Sequence, residues 1–248
     1  MCWAVLGGNA RAALVTTDVT DMWLMASEAG WGLNLIQQGT TMFGTLFVYD
    51  AAGRARWYVA SSMQQALGFA VEYTGDLYEA TGPVFSAPFD AAAVHLRTVG
   101  TIKLVVSEVD RATLIYTVDG VGIEKEIHRF AFGPIALGGR YRASVSSPPS
   151  CAFAEKSLDV TILHDAFTAP SFVMESIGPA SGSCTHRGLV TQQGRIVSVA
   201  GDCTCSGGRS GTFSLSNVVV TLDGMLATMS GGAPGCSSSR FAAVREAQ

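Results

Sequence analysis

Residues 28–63 read EAGWGLNLIQQGTTMFGTLFVYDAAGRARWYVASSM, a stretch that predicts two β-hairpins in succession. Between residues 42 and 49 the side chains fall into two alternating sets, and successive residues of a strand point to opposite faces of a sheet. Both sets carry apolar mass, so both faces can be covered. Gln38-Gly39 and the run 50–53 interrupt the strands with residues that favour tight turns.

The same alternation continues across residues 14–133, which predict an antiparallel β domain with aromatic-rich hairpins. About eight short strands follow one another there through short connections, with no convincing helical period. Asp119-Gly120 is the sharpest turn signal, because this pair suits the two positive φ angles of a type I′ hairpin. The pattern therefore predicts an all-β, up-and-down antiparallel order that closes into a barrel or folds as a sandwich.

A change of composition marks a domain boundary. Residues 134–150 contain Gly138-Gly139, a serine-rich run and Pro148-Pro149, which is typical of a linker. Residues 151–248 resume the pattern of short strands and turns, and they hold five of the six cysteines. We therefore predict a linker over 134–150, followed by a smaller β domain stapled by disulfides.

The bulk composition excludes two classes of partner. Of the 248 residues, 48% are apolar and 15% are charged, and the net charge is -4. A nucleic-acid-binding domain normally carries a basic patch, so we predict no nucleic-acid partner. No stretch approaches the ~20 consecutive apolar residues of a membrane-spanning helix, so we predict no membrane span.

The first residues indicate export. Residues 2–8 resemble the end of the apolar region of a signal peptide, and Ala10-Arg11-Ala12 matches a cleavage pattern. We predict that residues 1–13 are a truncated signal peptide and that the protein is secreted or periplasmic. The alternative interpretation of this segment is an ordinary apolar first strand.

The cysteines agree with an oxidising compartment. Their clustering after residue 150 predicts disulfides, and the odd number leaves one thiol free or paired with another chain. Cys203-Thr204-Cys205 lacks the C-x-x-C spacing of zinc ribbons, and only His186 lies close to the cysteines in sequence. We therefore predict no metal and no cofactor, with a structural zinc site as the alternative.

The stretch from Glu28 to Asn34, with the later Gln38-Gly39, Tyr49-Asp50, Gly53 and Trp57, resembles a module of secreted proteobacterial proteins. Its usual form is E-S-G-W-G-L-N, then Q-G, then Y-D-x-x-G-x-P-x-W. The resemblance spans about residues 20–132, and the second half is similar to the tail domain of the same proteins. It implies export and a β fold, with no established activity. It also implies a Cys184–Cys205 bridge, then Cys151 with Cys236, and leaves Cys203 unpaired.

Aromatic side chains are the candidate binding groups. Flat rings stack on sugars or enclose apolar ligands, although aromatics also fill β cores as cross-strand pairs. Glu28, in a glycine-flanked turn, either contacts a ligand or bonds to the turn backbone. The candidate ligand-binding residues are Glu28, Trp31, Asn34, Trp57, Tyr58 and Tyr73.

No catalytic set stands out. His164-Asp165 and several serines could supply parts of a hydrolase triad, but none of the serines lies in a G-x-S-x-G context. We therefore predict a non-enzymatic binding or cell-surface recognition module for a glycan or an apolar small molecule. The alternatives are a structural protein that assembles into an extracellular homo-oligomer and, third, a secreted hydrolase.

Overall fold

A computed structural model describes residues 18–66, 71–147, 155–166, 170–179, 181–231 and 238–246. It confirms the all-β fold and decides between the two predicted architectures, because the strands form barrels and not a sandwich. The chain divides into two compact units, Met1–His128 and Arg129–Gln248. The predicted signal peptide 1–13 lies outside the described residues, as do Cys151 and Cys236.

The first unit is a closed barrel of eight strands, each hydrogen-bonded to the next in chain order. Its strands are β1 (Asp21–Leu24), β2 (Gly32–Gln38), β3 (Thr41–Tyr49), β4 (Ala55–Gln65), β5 (Val71–Thr81), β6 (His95–Val106), β7 (Arg111–Val118) and β8 (Val121–Arg129). Short turns join most of them, because neighbouring antiparallel strands need only a hairpin connection. The predicted type I′ turn is confirmed, since φ is +48° at Asp119 and +82° at Gly120.

The alternation of β3 sets the inside and the outside of this barrel. Met42 and Leu46 are fully buried in the interior, whereas Phe43, Phe47 and Tyr49 are exposed on the outer face. The interior holds one cluster of buried apolar side chains from all eight strands, and Trp23, Tyr73 and Leu77 are among those fully buried. Small barrels of this strand number have interiors just wide enough for side chains to fill.

The second unit is also a closed antiparallel barrel of eight strands in chain order. Its strands are β9 (Gly139–Ser146), β10 (Glu155–Leu163), β11 (Ser171–Gly178), β12 (Gly182–Gln193), β13 (Ile196–Cys205), β14 (Arg209–Val220), β15 (Gly224–Gly231) and β16 (Ser239–Arg245). The barrel closes where β9 pairs with both β10 and β16, with Tyr141 opposite Arg245.

The position of β9 differs from the predicted linker over 134–150. Residues 139–146 form the strand that closes the second barrel, and the boundary between the units falls at residues 128/129. The glycine and serine content of this segment is typical of a linker. However, Tyr141, Ala143 and Val145 alternate with polar residues and are buried in the second core.

Helix plays almost no part in the described chain. The helical elements there are the 3₁₀ turns Ala26–Glu28 and Ala91–Ala93. In the part of the chain that the structure describes, no helix is long and apolar enough to cross a membrane.

Candidate functional site

The six candidate residues of the first barrel do not form one cleft. Tyr58 and Tyr73 belong to the core, with Tyr73 fully buried. The Tyr73 hydroxyl accepts a hydrogen bond from the side-chain amide of Gln37 at 3.0 Å, and burial raises the pKa of Tyr73. These two tyrosines therefore serve packing, which was the alternative interpretation of the aromatic residues.

Asn34 and Trp57 share the outer face of the first barrel. Asn34 on β2 pairs with Thr45 on β3, and Trp57 on β4 pairs with Phe47 on β3, two residues farther along. Trp57 is 51% exposed, and Phe47 and the nearby Phe43 are also exposed. The structure thus places an amide beside three exposed rings on a sheet surface.

Glu28 and Trp31 form a separate group with Lys125 of β8. The Glu28 carboxylate accepts hydrogen bonds from Lys125 Nζ at 2.6 Å and from Trp31 Nε1 at 3.0 Å. Lys125 Nζ also lies 5.6 Å from the centre of the Trp31 ring, within the range of a cation–π contact. The hydrogen bond from Lys125, followed by that from Trp31, lowers the pKa of Glu28. Trp31 packs against the core, so this group holds β8 to the segment before β2.

The candidate site that the sequence did not identify is a cavity in the second barrel. Its volume is about 150 Å³ and it opens to solvent at one end. The walls are mostly apolar and include Val145, Leu158, Met174, Phe213, Met229 and Phe241. An apolar recess with a few polar groups is the usual form of a small-molecule site.

The disulfide lies at this cavity. Cys184 on β12 and Cys205 on β13 are cross-strand partners, and their sulfur atoms are bonded as the resemblance implied. Ser181, Arg209 and Ser210 lie at the same end, where Arg209 donates a 2.8 Å hydrogen bond from Nη2 to the Ser181 carbonyl oxygen. The crosslink therefore fixes two of the strands that form the cavity wall.

His186 is a buried polar side chain whose tautomer can be assigned from its hydrogen bond. It is 5% exposed and lines the cavity, and its Nδ1 lies 3.4 Å from the carbonyl oxygen of Met174. A carbonyl oxygen only accepts, so this contact requires the proton on Nδ1. Burial lowers the pKa of His186 and favours the neutral ring. Nε2 is then an acceptor, and no described residue bonds to it.

Two further polar side chains reach the cavity beside His186. Cys203 lies directly opposite His186 on β13, and it is a free and buried thiol, as the resemblance implied. Ser176 on β11 is 5% exposed, and within the described ranges its hydroxyl has no hydrogen-bond partner. The interior thus offers one acceptor and one hydroxyl to a molecule that enters it.

His164 and Asp165, the parts of the hydrolase alternative, lie in a shallow depression elsewhere on this barrel, with Ser171 at its edge. His164 Nδ1 accepts a hydrogen bond from the Leu137 N–H at 3.3 Å, so the neutral ring carries its proton on Nε2. A serine triad needs the opposite tautomer, with the proton on Nδ1 and a basic Nε2. The local geometry therefore does not suit that role.

A register argument could have located the cavity group. If Gly194-Arg195 is a two-residue hairpin loop, Cys184 pairs with Cys205 and His186 with Cys203. The period of two then puts all four side chains on one face.

Among the described residues, no group of three or more His, Cys, Asp or Glu could hold a metal ion.

No protein-family model matches the chain, and no curated protein matches it. A solved structure from Bacteroides fragilis, described as a "putative outer membrane protein", is similar at 15% sequence identity. The alignment covers 91% of this chain and 94% of that one, with a TM-score of 0.31. A likeness at this TM-score carries no functional information for this chain.

Proposed function

We propose that this protein is an extracytoplasmic binding protein whose second barrel takes up a small apolar molecule. The observation that carries the proposal is the cavity of about 150 Å³, with its apolar walls, its open end and the Nε2 of His186, to which no described residue bonds. An engineered cavity of about this size in another protein binds benzene, so the ligand is of the order of one ring with small substituents.

The apolar walls also support a ligand. The cavity is open to solvent, and a bound apolar molecule would remove these walls from water, which is favourable. A ligand that fills the second cavity recovers contacts that the empty barrel lacks.

The disulfide supports the proposed location. The bond between Cys184 and Cys205 is stable in oxidising compartments, whereas cytosolic thiols are kept reduced. A secreted or periplasmic protein would keep this bond and with it the arrangement of β12 and β13 at the cavity.

The test is binding of toluene to the full chain, followed by amide chemical shifts and by the thermal unfolding midpoint. We expect shifts at cavity residues of the second barrel and a raised midpoint. Cys203→Leu extends into the cavity and should abolish both effects. Ala143→Val also enlarges an inward side chain of this barrel, but outside the cavity wall, and should retain binding. No shift up to the solubility limit of toluene, with the wild-type chain folded, would refute the proposal.

A second candidate function is glycan binding on the outer face of the first barrel. Exposed Phe43, Phe47 and Trp57 can stack on sugar rings, and Asn34 can bond to a sugar hydroxyl. Titration with cellohexaose and chitohexaose, followed by tryptophan fluorescence, tests it. Trp57→Ala should remove binding, and Phe85→Ala, a change at a fully exposed ring elsewhere, should not.

A further inference from the structure

We infer that the ligand of the second barrel is a small aromatic alcohol of the phenol class, whose hydroxyl donates to Nε2 of His186. This inference rests on the proposed binding function and adds the chemical class of the ligand. The juxtaposition that carries it is an unpartnered acceptor and an unpartnered hydroxyl, on His186 and Ser176, inside an apolar cavity.

The hydrogen bond at Nδ1 of His186 sets the tautomer in which Nε2 is an acceptor. Nδ1 faces the Met174 carbonyl oxygen at 3.4 Å and must carry the proton to bond to it. His186 is buried and lines the cavity, so a ligand in the cavity can approach its second ring nitrogen, Nε2. Among the described residues, Gln65 Nε2 is the fully buried side-chain atom without a partner, so His186 Nε2 is accessible from the open cavity and a donor on a ligand can bond to it.

Ser176 favours a hydroxyl over other donors. It lies on β11, the strand that pairs with β12, two residues beyond the Met174 that faces His186. A ligand hydroxyl can donate to His186 Nε2 and accept from the Ser176 hydroxyl at the same time. The N–H of an indole could satisfy only the histidine.

Charge in the wall excludes ionised ligands from the interior. The described wall contains no Asp or Glu, so a buried ammonium ion would have no counter-ion. Arg209 lies at the mouth, is exposed, and already donates to the Ser181 carbonyl oxygen. A carboxylate would also leave His186 Nε2 without a donor. A neutral hydroxyl fits both constraints.

The ring is inferred from the aromatic wall. The His186 and Phe213 rings meet edge to face, with centroids 4.9 Å apart and an interplanar angle of 75°. Phe241 also lines the cavity, and the ring of Phe172, which is not part of the wall, has its centroid 6.3 Å from that of Phe213. Flat ligands match such walls by stacking and edge contacts, and the volume allows about one ring.

The experiment measures dissociation constants of phenol, anisole, toluene and benzoate for the full chain by calorimetry. Anisole keeps the ring and the oxygen of phenol but has no donor. We expect phenol to bind about tenfold more tightly than anisole or toluene, the factor that one net hydrogen bond provides. His186→Phe should remove this preference, so that phenol and toluene bind with equal affinity, and Ser176→Ala should reduce the preference.

The outcomes separate the two proposals. If none of the four compounds binds, the proposed function itself fails. If toluene binds as tightly as phenol, or if His186→Phe keeps the preference, the cavity binds apolar molecules but the inference about its ligand is wrong. Tighter binding of benzoate than of phenol also overturns the inference and assigns recognition to Arg209. Should His186→Phe not fold, the ¹⁵N shift of His186 Nε2 on phenol addition decides, because a new hydrogen bond must move it.

Discussion

His186 of β12 and Cys203 of β13 are direct cross-strand partners, and both side chains line the cavity of the second barrel. Two residues away on each strand, Cys184 and Cys205 form the disulfide. A bound molecule would therefore lie beside a titratable ring and a free thiol, and each of them can report occupancy by an independent measurement.

Alkylation of Cys203 should depend on whether the cavity is filled. Cys203 is 8% exposed and lines the cavity, so we expect iodoacetamide to reach the thiol through the cavity. We expect slow modification of the native chain and slower modification in saturating toluene, measured by peptide mass spectrometry over time. The chain in denaturant serves as the control, where toluene should have no effect. An unchanged native rate in toluene would mean that the reagent reaches Cys203 by another route.

The stability of the second barrel should fall as the pH is lowered. Burial holds the pKa of His186 below its usual value of 6.5, so below about pH 6.5 the unfolded chain binds more protons than the folded chain. The contribution of the neutral His186 ring to the free energy of unfolding is therefore complete above about pH 6.5. It is lost as the pH falls toward the pKa that His186 has in the folded chain. Urea unfolding between about pH 5 and pH 8, followed at amides of this barrel, measures it.

A matched pair of variants assigns this pH dependence. His186→Phe should flatten the curve. Burial also lowers the pKa of His164, so His164→Phe should flatten it as well, by its own share. A slope that survives both substitutions would show that neither imidazole is its source.

Loss of the disulfide should destabilise the second barrel by about 3 kcal/mol, as loop-closure entropy predicts for a crosslink that joins residues 21 apart. The variant is Cys184→Ser with Cys205→Ser, measured by urea unfolding. Cys203→Ser is the control, because it alters a buried sulfur without removing a crosslink. Equal losses in the two proteins would indicate that packing at the cavity, and not the crosslink, is responsible.

Trp31 and Trp57 should differ in their effect on stability, although both are conspicuous in the sequence. Trp31 packs against the first core and donates to Glu28, so Trp31→Ala should cost about 2 kcal/mol or more. Trp57 is half exposed on the outer face, so Trp57→Ala should cost less than about 1 kcal/mol. Hydrogen exchange of the first-barrel amides measures both, and the opposite ranking would contradict the structure.

The barrel order could be predicted because its determinants are local. Alternation along β3 and the Asp119-Gly120 turn each depend on residues adjacent in sequence. The predicted linker overlaps β9 because the glycine and serine content of that strand is typical of a linker. One partner of β9, β10, is close in sequence, but the other, β16, is fixed by closure of the barrel, which joins segments about a hundred residues apart.

The alternation rule for strands shows that the candidate aromatic residues cannot all belong to one site. Trp57 and Tyr58 are neighbours on β4, and neighbours on a strand face opposite sides, so they could not share one site. The cavity was missed for a different reason. The pairing of β12 with β13 follows from their hairpin, but the rest of the wall comes from strands across the closed barrel, and the residual space depends on side-chain volumes that no sequence pattern reports.

The pairing of Tyr141 with Arg245 brings the start of β9 and the end of β16 to the same rim of the second barrel. Entry and exit of the polypeptide are thus adjacent, which is the arrangement that tolerates circular permutation and grafting into a host loop. A short tether between those two ends, with a new opening at the Gly194 hairpin, should give a permutant that retains the barrel and its cavity. The permuted barrel could then be inserted into a loop of an unrelated protein to give that protein the binding cavity.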